Sequence, residues 1–287
     1  MRFTLYLQIL GNLRVLPINY QYPLHSWIYR TLQQAHADFS RFLHDEGYTV
    51  GHRTFKLFTF SPLRGEPYRI FRGEQRIGFY GSEVRLGVSF WLPEAAEHFI
   101  RGLFMGQQFR LGDRISQVHL EVIRIEAQSR PLFTETMRYR TLTPVVVSAH
   151  VPGHKHAQYL PPDYPTYAER LLNNLLHKAE AVKLNVPTKE VARASVADIS
   201  DKGPARLSEG WEFATLGTFR KKGITIKQHT PQQNKIIGYT YDLVLRAPPT
   251  IQQLAYYAGL GEDNSMGFGY LEARAEKLKT ETGMPAR

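Results

Sequence analysis

No cysteine occurs among the 287 residues. That absence excludes disulfides, thiolate metal sites and cysteine nucleophiles, and makes a reducing compartment the natural home. No apolar run reaches the roughly 20 residues that a membrane-spanning helix needs. The N-terminus does not read as a signal peptide, because Phe3, Leu5, Leu7 and Ile9 alternate with Thr4, Tyr6 and Gln8 as in a half-buried strand. The chain is therefore expected to be cytoplasmic, with no membrane partner. Acidic residues are missing from the whole interval between Glu212 and Asp242, where Arg220, Lys221, Lys222, Lys227 and Lys235 supply five positive charges. With a net charge of +10, this favours a polyanionic partner. The interval itself reads either as a solvated basic hairpin or as a surface that grips phosphates.

What is present is enough to fold: 43% hydrophobic residues supply a sizeable core. Residues 2–10 read as a first strand. A long helix follows over about 24–46, because Leu24, Ile28, Leu32, Ala35, Phe39 and Phe42 keep helical spacing and Gly47 is a natural stop. Alternation around Phe55–Phe60, Gln75–Tyr80 and Val84–Leu92 predicts strands, Pro93 opens a helix ending near Gly106, and Val118–Ile123 is a closing strand. Strand, helix, strands, helix, strand is the ferredoxin-like order. It recurs in the second half: a β-branched strand at Thr143–Ser148, a helix within 164–182, strands at Trp211–Phe219 and Ile236–Leu245, a short helix over 250–258 and a last strand at Phe268–Ala273. The fold class is α+β, two tandem ferredoxin-like domains, with 1–135 as the first and 136–287 as the second. Residues 150–163 and 195–210 read as long loops, and the last dozen residues as frayed.

One stretch stands out, Gly259-Leu260-Gly261-Glu262-Asp263-Asn264-Ser265-Met266-Gly267-Phe268-Gly269, four glycines in eleven residues between a helix and a strand. A dinucleotide fingerprint needs the opposite order, strand then helix, and a third glycine where Asn264 stands. A nucleotide-hydrolase phosphate loop fails because no Gly-Lys-Ser/Thr follows. Two readings of the residues remain: glycines that serve only a tight turn, and a segment that lets another backbone, or a phosphate chain, come close to its N–H groups. Gly-hydrophobic-Gly, five residues, Gly-hydrophobic-Gly near the C-terminus resembles the signature of the Cas six family, the endoribonucleases that trim CRISPR repeat transcripts.

That resemblance implies tandem ferredoxin-like domains with this loop lying against RNA between them. It carries the catalytic roles to Tyr29 in Trp27-Ile28-Tyr29-Arg30, His44 in Phe42-Leu43-His44-Asp45, and Lys56 in Phe55-Lys56-Leu57-Phe58. The implied reaction is attack of an RNA 2′-hydroxyl on the adjacent phosphorus, leaving a 2′,3′-cyclic phosphate and a 5′-hydroxyl, with no metal and no cofactor. Histidine suits the proton transfers and Lys56 the developing charge. RNA contacts are expected from Gly259, Gly261, Gly267, Gly269, Arg220, Lys221, Lys222, Lys227, Lys235 and Arg246. His25 and His36 are the competitors to His44, since on a continuous helix Tyr29 and His44 share one flank with these two nearer the apolar stripe. His150, His154 and His156 lack acidic or cysteine company and are read as solvated or as phosphate contacts. The partners implied are CRISPR repeat RNA and an effector ribonucleoprotein complex, with a homodimer as a further assembly. The alternative function is a non-catalytic CRISPR repeat RNA-binding protein of the same fold.

Overall fold

The structure, a computed structural model, describes residues 1–151, 153–154, 156–185, 188–191, 205–208, 210–228 and 230–274. Most of the expected loop at 195–210 and the expected frayed terminus lie outside the described residues.

In the first half, β1 (Arg2–Leu10) is followed by α1 (Gln21–Ala35) and a short α2 (Ala37–Arg41). Then come β2 (Phe58–Phe60), β3 (Glu83–Phe90), α3 (Pro93–Met105), β4 (Gln108–Gly112) and β5 (Gln117–Ala127). Their sheet runs β2-β3-β1-β5-β4, with antiparallel neighbours throughout. The alternation read from β1 places Leu5, Leu7 and Ile9 on the helix-covered face with Leu24, Ile28 and Leu32 of α1 and Phe99 of α3. Arg2, Thr4 and Tyr6 consequently face the other way.

The second half repeats the plan with β6 (Thr136–Thr141), α4 (Tyr167–Ala181), β7 (Glu212–Ile226), β8 (Asn234–Arg246), α5 (Pro249–Ala258) and β9 (Leu271–Arg274). The sheet order is β7-β8-β6-β9. Tyr139, Leu243 and Leu245 pack against Leu171 and Leu175 of α4 and Ile251 and Leu254 of α5. The β-branched run 143–148 is not the domain's first strand. It is buried and touches the sheet through a single bridge from Val145 to Tyr239, while Pro144 and Val146 offer their carbonyls to the glycine loop.

The halves meet around a buried cation. Arg2, at 4% exposure, donates from Nη1 to the Leu271 carbonyl at 2.6 Å, from Nη2 to the Tyr256 carbonyl and from Nε to Ser89 Oγ. Its guanidinium lies 3.4 Å from the Tyr256 ring centre and 4.0 Å from that of Tyr270. A desolvated cation over aromatic faces is worth about 2 kcal/mol, and each charged hydrogen bond adds about 1.5–3 kcal/mol. Arg2→Ala is therefore expected to cost at least about 3 kcal/mol, seen as a lower urea midpoint. An unchanged midpoint would mean that the seam is held elsewhere.

Candidate active site at the domain seam

The helix expected over 24–46 is broken. Its apolar pattern continues through the break, but His36 adopts an extended conformation (φ −157°, ψ 96°) and its Nδ1 accepts the Phe39 N–H, capping the new helix α2. After α2 the backbone widens into a single π-type turn, Phe42–Glu46, closed by the Gly47 N–H on the Phe42 carbonyl. Such turns re-aim a side chain without ending the helical path. The reorientation carries His44 back toward α1, whose Tyr29 carbonyl accepts from Ser40 Oγ. Hence the single-helix wheel does not describe the geometry, yet the two residues it grouped do meet: the His44 and Tyr29 rings are 5.3 Å apart, edge to face.

His44 is exposed, and its Nδ1 is 2.7 Å from Asp45 Oδ1. A carboxylate only accepts, so the ring donates from Nδ1 and leaves Nε2 outward. Lys56 is half-buried and donates from Nζ to the His44 carbonyl at 2.6 Å, its pKa lowered by burial while Asp45 opposes that shift. Tyr29 is 8% exposed, and burial pushes its phenol well above the ordinary range. His25 also packs against the Tyr29 ring, 4.8 Å away. Its Nδ1 is 2.8 Å from the carbonyl of Ser265, in the glycine loop. His36 is directed elsewhere, with its ring 4.7 Å from that of His98 on α3.

The loop is built inward. All four glycines are buried with positive φ. A Cβ on Gly267 would sit 2.4 Å from Phe60 of β2, and one on Gly269 2.0 Å from the Leu260 carbonyl, so these two positions require glycine for space as well as for dihedral. The N–H groups of Leu260, Glu262, Met266, Gly267 and Gly269 donate to protein carbonyls. For Gly267 and Gly269 this corrects the expectation that their amides face phosphates; both are spent within the fold.

Beneath the loop, Lys178 of α4 is fully enclosed and donates from Nζ to the carbonyls of Gly259 (2.8 Å) and Gly261 (2.7 Å) and to Asn264 Oδ1 (2.6 Å). Burial pushes its pKa down to about 7, against the pull of Glu262. Asn264 in turn donates to the carbonyls of Leu260 and Phe268. The asparagine that breaks a dinucleotide fingerprint is thus the staple of a different loop. Lys178 was legible as a lysine among Leu171, Leu175 and Ala179 on a buried stripe, a position where a lone cation needs acceptors. The roles of Ser265, a backbone carbonyl, and of Asp45 left no comparable signal.

The loop spans two distinct places. At Ser265 it touches the histidine cluster. At Tyr270 it borders a cleft of about 740 Å³ between the helix-free sheet faces, lined also by Arg2, Tyr6, Arg64 and Arg85. Tyr29, His44 and Lys56 do not line that cleft. The basic hairpin β7–β8 splits its charges. Arg220 and Lys222 share the face of the buried Ile224, whereas Lys221 and Lys235 project from the other. Lys227, at the turn, is close enough to His25 to disfavour a second charge there. Arg246 is exposed at the end of β8, 3.7 Å from Glu212.

Two antiparallel sheets, β2-β3-β1-β5 extended at its edge by β4 and β7-β8-β6-β9, each with its helices on one face, define a tandem ferredoxin-like protein, and an exposed histidine, a half-buried lysine and a buried tyrosine lie where the halves join. Residues 15–122 match the model for CRISPR-associated protein Cas6, N-terminal, and residues 126–273 that for CRISPR associated protein Cas6, C-terminal. The chain belongs to the Cas6 family. It is 28% identical to CRISPR-associated endoribonuclease Cas6 1 of Methanocaldococcus jannaschii, over 98% of both chains. To CRISPR-associated endoribonuclease Cas6 of Pyrococcus furiosus it is 25% identical, over 92% of this chain and 86% of that one. A solved structure of a Cas6-related gene product from Pyrococcus furiosus superposes with a TM-score of 0.75 at 20% identity, covering 96% of this chain and 99% of that one, a likeness of fold.

Proposed function

We propose that the protein is a metal-independent endoribonuclease that cuts CRISPR repeat transcripts into guide RNAs. One observation carries the reading: an exposed imidazole, oriented by a neighbouring carboxylate, shares a surface with a lysine ammonium and a buried tyrosine at the edge of the loop that seals the two domains. Relatives named as endoribonucleases, matched along nearly their whole length, support the same reaction class.

In this reaction the 2′-oxygen attacks the adjacent phosphorus, and the bond to the 5′-oxygen breaks. His44 donates a proton from Nε2 to that oxygen, with Asp45 holding Nδ1 and the ring's orientation. Lys56 keeps two N–H groups beyond its bond to the His44 carbonyl and directs them at the phosphorane oxygens. Among the described residues the Tyr29 hydroxyl has no hydrogen-bond partner, and as a phenol that stays protonated it donates to the phosphate. Lys227, at the hairpin turn beside His25, holds the strand together with Arg220 and Lys222 on the Ile224 face of the hairpin, while Lys221, Lys235 and Arg246 extend the positive surface. Gly259, Gly261, Gly267 and Gly269 contribute by shaping the loop over which the strand passes.

The expected result is cleavage of cognate repeat RNA in the presence of a chelator, giving a 2′,3′-cyclic phosphate. A single 2′-deoxy substitution at the scissile nucleotide should abolish it. Cutting that survives this substitution would rule out 2′-hydroxyl attack, and intact RNA in every case would leave only a binding protein.

A further inference from the structure

The site contains a second imidazole that the proposed reaction has not used. His25 lies one helical turn before Tyr29, its ring in contact with Tyr22 (5.9 Å) and Tyr29 (4.8 Å), and Tyr29 is also the ring that His44 packs against. Its Nδ1 contact is a backbone carbonyl, which can only accept. Nδ1 therefore carries the hydrogen, and in the neutral ring the lone pair is on Nε2. The half-buried ring is surrounded by charge of one sign, from His44 on the π turn, Lys56 before β2 and Lys227 at the hairpin turn. Burial, the largest influence, and these cations lower its pKa, while the Ser265 carbonyl acts in the opposite direction. Near neutrality the ring is accordingly a base with a fixed tautomer. Tyr29, the ring packed against it, keeps its proton because its phenol is raised by burial.

Resting on the nuclease reading above, we propose that His25 is the general base of the cleavage, taking the 2′-hydroxyl proton on Nε2, and that the glycine loop fixes its tautomer through the Ser265 carbonyl. The 2′-oxygen–phosphorus bond forms as that proton moves to His25. The phosphorus–5′-oxygen bond breaks as His44 gives up its own proton. One turnover thus leaves His25 protonated and His44 neutral, and exchange with water restores both. This gives the loop a catalytic purpose although its Gly267 and Gly269 amides are engaged within the protein: it positions an imidazole of the other domain.

The test is single-turnover cleavage of cognate repeat RNA as a function of pH, for the wild-type chain and for His25→Asn. The asparagine amide can keep a donor on the Ser265 carbonyl while removing the base. The variant should be slower by about 100-fold or more. The wild-type rate should fall at low pH as His25 takes up a proton, and this acid limb should disappear in the variant. Affinity for the uncleavable 2′-deoxy repeat should change less than about twofold, since the proton transfer contributes nothing to ground-state binding. In His25→Ala, added imidazole should restore cutting with saturation. A His25→Asn rate within about threefold of wild type, far below the loss of an acid–base group, or a slow variant that keeps the acid limb, would overturn the assignment. If the wild type cuts and His25→Asn cuts equally well, this inference alone fails; if the wild type never cuts, the nuclease reading fails with it.

Discussion

His44→Ala slows single-turnover cleavage by about 100- to 10,000-fold, the span expected when a general acid is lost, while repeat RNA binding persists. The expectation follows from position. The ring is 64% exposed and packed only edge-on against Tyr29, so its removal opens no internal cavity and leaves the fold intact. A leaving-group test separates an acid from a mere RNA contact. Replacing the scissile 5′-oxygen by sulfur gives a leaving group that departs without protonation. That substrate should be cut by His44→Ala at close to the wild-type rate and should not rescue His25→Asn. A uniform defect on both substrates would make His44 a binding residue, and an undiminished rate on the natural one would remove it from the reaction.

The second large effect concerns stability. Lys178→Met keeps the length of the side chain and deletes all three hydrogen bonds to the glycine loop, leaving the Gly259 and Gly261 carbonyls and Asn264 Oδ1 facing an apolar group. Each buried acceptor left without a partner costs about 1–3 kcal/mol. The sum is expected near 3–5 kcal/mol, partly offset by removing a desolvated ammonium. For a chain of this size that is a fall in Tm on the order of 10 °C, readable by calorimetry. Cleavage should fall too, because Ser265 loses its register against His25. A variant as stable as wild type would show that the loop holds its shape through the Asn264 amide and the Glu262 carboxylate, which accepts from the backbone and hydroxyl of Ser148.

Both effects trace to residues of different legibility. The alternation of β1, the stripes of α1, α3 and α4 and the proline-led starts of α3 and α5 are local signals, and the structure places those elements close to where the pattern predicts them. The His36 break is not a hydrophobic event, so periodicity passes through it. The determinant is an imidazole that caps α2, a polar contact three residues long. The run 143–148 misleads for the opposite reason: β-branched residues suit any extended buried backbone, and here that backbone serves the loop instead of a sheet. In the cluster, Tyr29, His44 and Lys56 were visible through their local contexts. His25 reaches Tyr29 through the i, i+4 spacing of α1, but the partner of its Nδ1, a main-chain oxygen 240 positions away, has no side-chain signature.

Arg2 has a consequence for synthesis. Its acceptors, the carbonyls of Tyr256 and Leu271, are synthesised 254 and 269 positions after it. The leading domain can assemble its sheet during translation, but this cation must wait, hydrated, until Leu271 has been made. The groove between the halves, lined by Arg2, Tyr256 and Leu271, is therefore completed only then, and a shorter nascent fragment lacks one of its walls.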